Sequence, residues 1–202
     1  MPLFYQHNIN EHTKLAVWHI TESEDFFLAK APLRTSVSHP HKRLQHLAAR
    51  YLLDLLQPGF PFHLIEIADS KKPLLSNDEF HFSVSHCGDY AAAIVSENKF
   101  VGIDVELITP KVERIKDKFL NHNETELLPV CNLKFLTICW SAKEAIYKWY
   151  GKGNVDFKSN ILIDDINYAQ KQGYMKAHFE KVTRTNLIVH FKIFESLCVA
   201  WV

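Results

Sequence analysis

Leu133–Tyr150, LKFLTICWSAKEAIYKWY, is the stretch on which the fold turns. Phe135, Leu136, Cys139, Trp140, Ala142, Ile146 and Trp149 recur at three- and four-residue spacing, which predicts a long helix with a broad apolar face. Gly151 and Gly153 stop it. Downstream the period drops toward two, over Asn160–Ile163, Met175–Val182 and a long alternating run from Leu187 to Val202, so strands are expected there. Upstream the same succession occurs once before. A helix is predicted from His41 to Leu56, where Leu44, Leu47, Ala48, Tyr51, Leu52 and Leu55 form the apolar stripe and Pro58-Gly59 ends it. Strands are then expected at His63–Ile67, Phe80–Ser85, Tyr90–Ser96 and Lys99–Glu106, with one more ahead of the helix at Leu15–Ile20. Shorter helices fit Val112–Phe119 and Glu124–Leu128. Helix-then-strands appearing twice predicts an α+β protein of two similar halves, with residues 1–98 forming the first and 99–202 the second.

Composition narrows the function classes. Across 202 residues, 23 Lys plus Arg balance 23 Asp plus Glu, and 47% of residues are hydrophobic. Such neutrality argues against a protein that coats nucleic acid or an anionic membrane with a basic face, while leaving room for a small charged pocket. Cys87, Cys131, Cys139 and Cys198 show neither C-x-x-C pairing nor metal-type spacing, and the first residues lack a secretory pattern. A reduced, cytoplasmic, soluble protein is the expectation.

Four groups of residues can carry chemistry. In Val101-Gly102-Ile103-Asp104-Val105-Glu106, a strand would point Asp104 and Glu106 to one face, about 7 Å apart. Two carboxylates so placed repel, unless they lie on a solvated edge or a divalent cation such as Mg²⁺ sits between them. In Trp140-Ser141-Ala142-Lys143-Glu144-Ala145-Ile146-Tyr147-Lys148, the residues Trp140, Glu144 and Lys148 share a helical stripe, either as a surface ion pair or as a further ligand with a phosphate clamp. Phe82-Ser83-Val84-Ser85-His86-Cys87-Gly88 ends a strand with an imidazole at a turn, able to meet an anion or a metal. Finally Lys71-Lys72-Pro73 and the helix start at Lys42 and Arg43, with Lys30 and Arg34 ahead of it, offer basic groups for a phosphate.

The order and spacing of these segments resemble the 4′-phosphopantetheinyl transferase superfamily. The resemblance rests on Phe82-x-x-Ser85-His86, on Gly102-Ile103-Asp104-Val105-Glu106, and on Trp140-Ser141-x-Lys143-Glu144-Ala145-x-x-Lys148. Lys72-Pro73-Leu74-Leu75 and Phe119 to Glu124 look like two further elements of that family, and two halves in one chain are similar to its larger, Sfp-type class. The resemblance implies two α/β halves in pseudo-twofold arrangement with the active site in the cleft between them. It implies transfer of the phosphopantetheine arm of coenzyme A to a serine of an apo acyl or peptidyl carrier protein. It further implies Asp104, Glu106 and Glu144 as Mg²⁺ ligands, and Glu144 and Lys148 as catalytic groups; because the serine needs a proton acceptor within reach, Glu144 or a metal-bound water that it orients is the first choice and Glu124 the second. Arg43, Lys72, Ser85, His86 and Lys148 would hold coenzyme A, Lys148 against its pyrophosphate, with Lys42 and Lys30 as helpers. Cys87 stands where that motif commonly has serine, and Lys71 where a small residue often precedes the Lys-Pro element. Lys111, Arg114, Lys116 and Lys118, with Val112, Ile115 and Phe119, are candidates to meet an acidic carrier. A non-catalytic coenzyme A or nucleotide-binding module and a metal-dependent phosphodiesterase are the other classes that such residues fit.

Overall fold

The computed structural model describes residues 2–31, 37–128, 130 and 132–202. Arg34 and Cys131 therefore lie outside the described residues. Two units emerge, Met1–Val101 and Gly102–Val202, each with its own core.

In the first unit, β1 (Leu3–Asn8), β2 (Thr13–His19), β5 (His81–Cys87) and β6 (Tyr90–Ser96) form an antiparallel sheet in the order β1-β2-β6-β5. Between β2 and β5 come α1 (Glu24–Leu28), α2 (Pro40–Leu56) and a small hairpin of β3 (Ile65–Ile67) and β4 (Pro73–Leu75). Helix α2 starts at Pro40, a residue preorganised for a first helical position, and the His39 ring accepts a hydrogen bond from the Lys42 N–H. Its buried residues Leu47, Ala48, Leu52, Leu53 and Leu56 join Trp18, Phe27, Phe82, Ala91 and Val95 in one core. Two expectations change here. The segment from His63 begins as a 3-10 turn, Phe62–Leu64, so only Ile65–Ile67 is extended. The run from Lys99 becomes a strand only at Ile103.

The second unit consists of β7 (Ile103–Leu107), α3 (Lys111–Phe119), α4 (His122–Leu127), α5 (Leu133–Tyr150) and four strands, β8 (Ile161–Ala169), β9 (Gln172–Glu180), β10 (Arg184–Phe194) and β11 (Leu197–Trp201). The sheet order is β7-β11-β10-β9-β8, antiparallel throughout. The alternating stretch from Leu187 to Val202 is thus two strands, because its period continues through the turn at Glu195-Ser196. Helix α5 spans the residues its periodicity marks. The Asn132 side chain accepts the Phe135 N–H at its start, and Gly151, at φ 70°, closes it in the left-handed region that suits glycine. Ile138, Cys139, Ala142, Ala145 and Ile146 pack on Ile161, Met175, Phe191, Cys198 and Ala200 of the sheet. Where β7 enters, its backbone runs directly against the helix. A Cβ on Gly102 would stand 1.9 Å from the Ala145 carbonyl oxygen and 2.7 Å from the Trp149 nitrogen, so no side chain fits. Among the described residues no helix is long and apolar enough to cross a membrane.

Candidate active site

The acidic strand and α5 are tied by three hydrogen bonds. Asp104 is buried at 3% exposure, and its two oxygens are divided between helix residues. Ser141 Oγ donates to Oδ2 at 2.8 Å and Lys148 Nζ donates to Oδ1 at 2.6 Å. One residue on along the same strand face, Glu106 Oε1 accepts the Trp140 indole N–H at 3.1 Å. The Trp140 ring is itself held near Phe119 and Phe157, with centroids 5.2 and 5.5 Å away. Behind Ser141, the fully buried Cys198 thiol hydrogen-bonds its hydroxyl, and burial together with the Asp104 charge pushes that thiol far above its ordinary pKa.

Glu144 belongs to the same cluster. Burial is the largest cause that lifts its pKa from 4.5 to about 7; Asp104 and Glu106 push it up further, and Lys148 pulls it down. Three carboxylates and one ammonium therefore share a small volume with an excess of negative charge. Hard oxygen donors crowded in this way suit a divalent cation, whose charge would relieve the repulsion. Among the described residues, no three His, Cys, Asp or Glu groups converge closely enough to hold an ion as they stand. At Asp104 the Lys148 ammonium already serves as the counter-charge. Donor chemistry thus fits a metal, while the side chains adopt the arrangement of an internal ion pair.

Glu124 is not a free proton acceptor. It is 2% exposed and wholly engaged. Its Oε1 accepts from Lys143 Nζ at 2.7 Å and from the Ile163 N–H at 2.9 Å, while Oε2 takes the Asn121 N–H at the start of α4. Lys143, with no exposed surface, donates as well to the carbonyls of Phe119, Phe157 and Ile161 at 2.7, 2.8 and 2.7 Å. Burial drags the Lys143 pKa down and the Glu124 carboxylate works against that pull. This pair is a structural rivet joining α5 to its surroundings.

The first unit collects the other candidates. Ser85 is buried and His86 half-buried on β5, ahead of a two-residue turn at Gly88-Asp89 in which Gly88 needs its φ of 55°. Helix α2 grips that turn: Gln45 Nε2 donates to the Gly88 carbonyl at 2.7 Å, and the His41 ring meets Asp89 at 2.9 Å. The rings of His46 and His86 lie 5.2 Å apart. Burial lowers the His46 pKa, and the charges of Arg50 and Lys42 lower it further. Lys72 is half-buried, and desolvation depresses its pKa to about 8. Just ahead of it Lys71 takes a φ of 69°, in the left-handed region that favours glycine.

Arg43 has a task that sequence reasoning missed. Its Nε and Nη2 donate to the two carboxylate oxygens of Glu24 at 2.7 and 2.8 Å, and Nη1 donates to the Val37 carbonyl at 3.1 Å. The fork that a phosphate would need is taken up in bracing α1 against α2. Lys30 stacks its ammonium over the Phe26 and Tyr51 rings. On α3, Val112 and Phe119 are buried in the core and unavailable for docking, whereas Lys111, Arg114 and Lys118 are exposed. Trp140, Ser141 and Lys143 are the residues whose roles sequence reasoning did not assign. Their signal was their place in the helix that carries Glu144 and Lys148.

Comparisons with known proteins bear on this geometry. Enterobactin synthase component D of Salmonella austin is 32% identical over 115 residues, 53% of this chain and 47% of that protein. The component D of Escherichia coli K12 is 30% identical over 112 residues, covering 53% and 54%. The 4′-phosphopantetheinyl transferase psf-1 of Bacillus pumilus is 34% identical over 95 residues, covering 45% and 40%. The chain spans about half the length of the curated relatives it matches. The family model of the 4′-phosphopantetheinyl transferase superfamily matches residues 100–201, which take in β7, α5 and every residue of the acidic cluster. An α+β unit whose acidic strand and Trp-Ser-Ala-Lys-Glu helix are hydrogen-bonded in this manner, matched over half of the sequence, belongs to the 4′-phosphopantetheinyl transferase superfamily.

Proposed function

We propose that this chain transfers the 4′-phosphopantetheine arm of coenzyme A to a serine hydroxyl of an apo acyl or peptidyl carrier protein. The observation that carries the reading is the cluster of Asp104, Glu106, Glu144 and Lys148, an acidic strand and a helical ammonium held together inside the family-matched region. In the reaction the serine oxygen forms a bond to the β-phosphorus of coenzyme A. The phosphoanhydride bond breaks, its electron pair leaves with adenosine 3′,5′-bisphosphate, and the serine proton is released. Glu144, half-buried beside the two strand carboxylates, is the group assigned to accept that proton directly or through a water. Lys148 lies beside the carboxylates and would neutralise charge on the departing phosphate. Asp104, Glu106 and Glu144 are the residues that would hold Mg²⁺. When bound, the ion would supply Lewis-acid stabilisation of pyrophosphate charge.

Lys72, Ser85 and His86 in the first unit are assigned to coenzyme A, with Lys42 as a helper. Support comes from the half-buried Lys72 ammonium and from the basic neighbours that surround His46 beside His86. The exposed Lys111, Arg114 and Lys118 of α3 are assigned to an acidic carrier surface. On this reading the protein acts in the cytoplasm as a monomer, without nucleic-acid or membrane partners.

The test is incubation of the full chain with coenzyme A, Mg²⁺ and apo carriers of the fatty-acid, polyketide and peptide-synthetase types, read by intact mass. Gain of one phosphopantetheine arm on at least one carrier is the expected result. Coenzyme A binding without transfer to any carrier would instead identify a binding module, and cleavage of phosphodiesters would identify a hydrolase.

A further inference from the structure

The turn that follows His86 is held by a helix through one peptide group. His86 and Cys87 end their strand opposite Ala91 and Tyr90, and Gly88-Asp89 carries the chain round between them. The Gly88 carbonyl and the Asp89 N–H belong to the central peptide of that two-residue turn. Rotation of this peptide is what separates the two favoured hairpin turns, types I′ and II′. Gln45 of α2 fixes it. Its Nε2 donates to the Gly88 carbonyl at 2.7 Å, and a carbonyl only accepts, so the side-chain amide has one usable orientation. The donor is aimed from inside the fold, since Gln45 is buried, and so are Ala48 and Ala49 one helical turn on.

The β6 limb of the turn has its own supports. The Ile20 N–H donates to the Asp89 carbonyl at 2.7 Å, and Tyr90 stacks on His19 at 4.8 Å. The limb that carries His86 lies on the last strand of the order β1-β2-β6-β5, and Gln45 is a buried link from α2 to it. The next helix residue, His46, places its ring 5.2 Å from that of His86. Arg43, two positions earlier, is taken up by Glu24. We propose that Gln45 is a positioning residue for coenzyme A, fixing the central peptide of the turn and thereby holding the His86 imidazole where a coenzyme A phosphate meets it. The inference rests on the assignment of His86 to coenzyme A, and it adds a residue that acts through the turn.

The experiment reads binding and ring geometry in the full chain. Gln45→Met keeps the length of the side chain and removes the donor. Coenzyme A is titrated calorimetrically, and the ring Cε1–Hε1 resonances of His86 and His178 are followed by NMR, each identified by its loss in a His→Gln variant. Gln45→Met is expected to weaken coenzyme A binding by about tenfold, the size of effect that follows when a buried carbonyl loses its donor. The His86 resonance should move, while that of His178, in the second unit, stays in place. If Gln45→Met has no cooperative thermal transition, Gln45→Asn, which keeps the amide but is one methylene shorter, decides by the same two readings. Unchanged coenzyme A affinity, or an unmoved His86 resonance, in a folded variant overturns the inference, while coenzyme A binding by the native chain leaves the coenzyme A reading standing. Absence of coenzyme A binding by the native chain overturns both.

Discussion

The two units follow one strand plan and put it to opposite electrostatic use. In each, the strand that leads toward the long helix pairs with the unit's last strand, which pairs with the strand before it: β2-β6-β5 in one, β7-β11-β10 in the other. On β2 that position carries Leu15, Ala16 and Val17, all without exposed surface. On β7 it carries Asp104 and Glu106. The long helices diverge in the same sense. Every fourth residue of α2 reads Lys42, His46, Arg50, while α5 reads Trp140, Glu144, Lys148. Backbone topology therefore fixes where a strand and a helix meet, and the side chains decide which sign of charge that meeting place will take. The first unit lines its helix with basic side chains. The second gathers carboxylates balanced by one lysine.

The sharpest way to break this contrast is to give β7 the apolar character of β2. Asp104→Ala removes a proposed ligand and the partner of Lys148 together, and transfer should fall by on the order of 10³-fold or more, measured as carrier mass gain per unit time. Retention of native rate would return the acidic strand to a structural role. Next in size is the buried rivet of the second unit. Lys143→Met strands a buried Glu124 carboxylate and should destabilise by about 3–5 kcal/mol in denaturant unfolding. The double variant Lys143→Met with Glu124→Gln should recover much of that loss, since no buried charge is then left alone. Failure of the double variant to recover would show that the three carbonyls around Lys143 matter more than its carboxylate partner.

A smaller effect is expected from Gly102→Ala, which drives a methyl group into the α5 backbone. Overpacking of this kind costs about 1–3 kcal/mol, and it should lower transfer as well, because the displaced helix carries Glu144 and Lys148. Stability loss with an unchanged rate would separate the contact from the site. The mildest effect belongs to the first unit and concerns pH. The Lys72 pKa is depressed from 10.5 to about 8, so the folded chain favours the neutral amine. Folded stability accordingly gains as pH rises from about 8 to 10.5, whereas an anion that needs the ammonium is held less well above pH 8. Coenzyme A affinity should fall by up to about tenfold between pH 7 and 9, and Lys72→Arg should flatten that profile in calorimetric titration. A flat profile in the native chain would remove Lys72 from the phosphate contacts.

Much of the fold was legible because long elements announce themselves by period. Helix α5 keeps a continuous apolar face and is bounded by Asn132 and Gly151, so its limits follow from local rules. Strand β1 escaped because none of its residues is buried and no apolar alternation marks it, whereas helix α1 and strand β4 escaped because they are short: α1 has five residues and β4 has three, too few to display a period. The acidic strand and the Glu-Lys helix were legible as a candidate site because Asp104 with Glu106, and Glu144 with Lys148, are near neighbours in sequence. Other contacts join residues far apart in the chain, and no local pattern encodes them. Trp140 reaches Glu106 across 34 positions and Ser141 reaches Asp104 across 37. Arg43 looked like a phosphate ligand until Glu24, 19 residues earlier, took up its fork. Glu124 looked reactive until the fold surrounded it with donors. A charged side chain announces its chemistry in the sequence, but only its tertiary partners decide whether that chemistry is spent on stability.

Gly102 has a consequence for how such a chain can vary. Its α-hydrogen side faces the Ala145 carbonyl, one residue beyond Glu144 and two residues before Asp104 along its own strand. The spacing between the carboxylate strand and the helix is gauged there by main chain touching main chain, a stop that side-chain exchange cannot reset. A bulkier residue on the sheet beneath must therefore be absorbed without bringing the helix any closer to the strand.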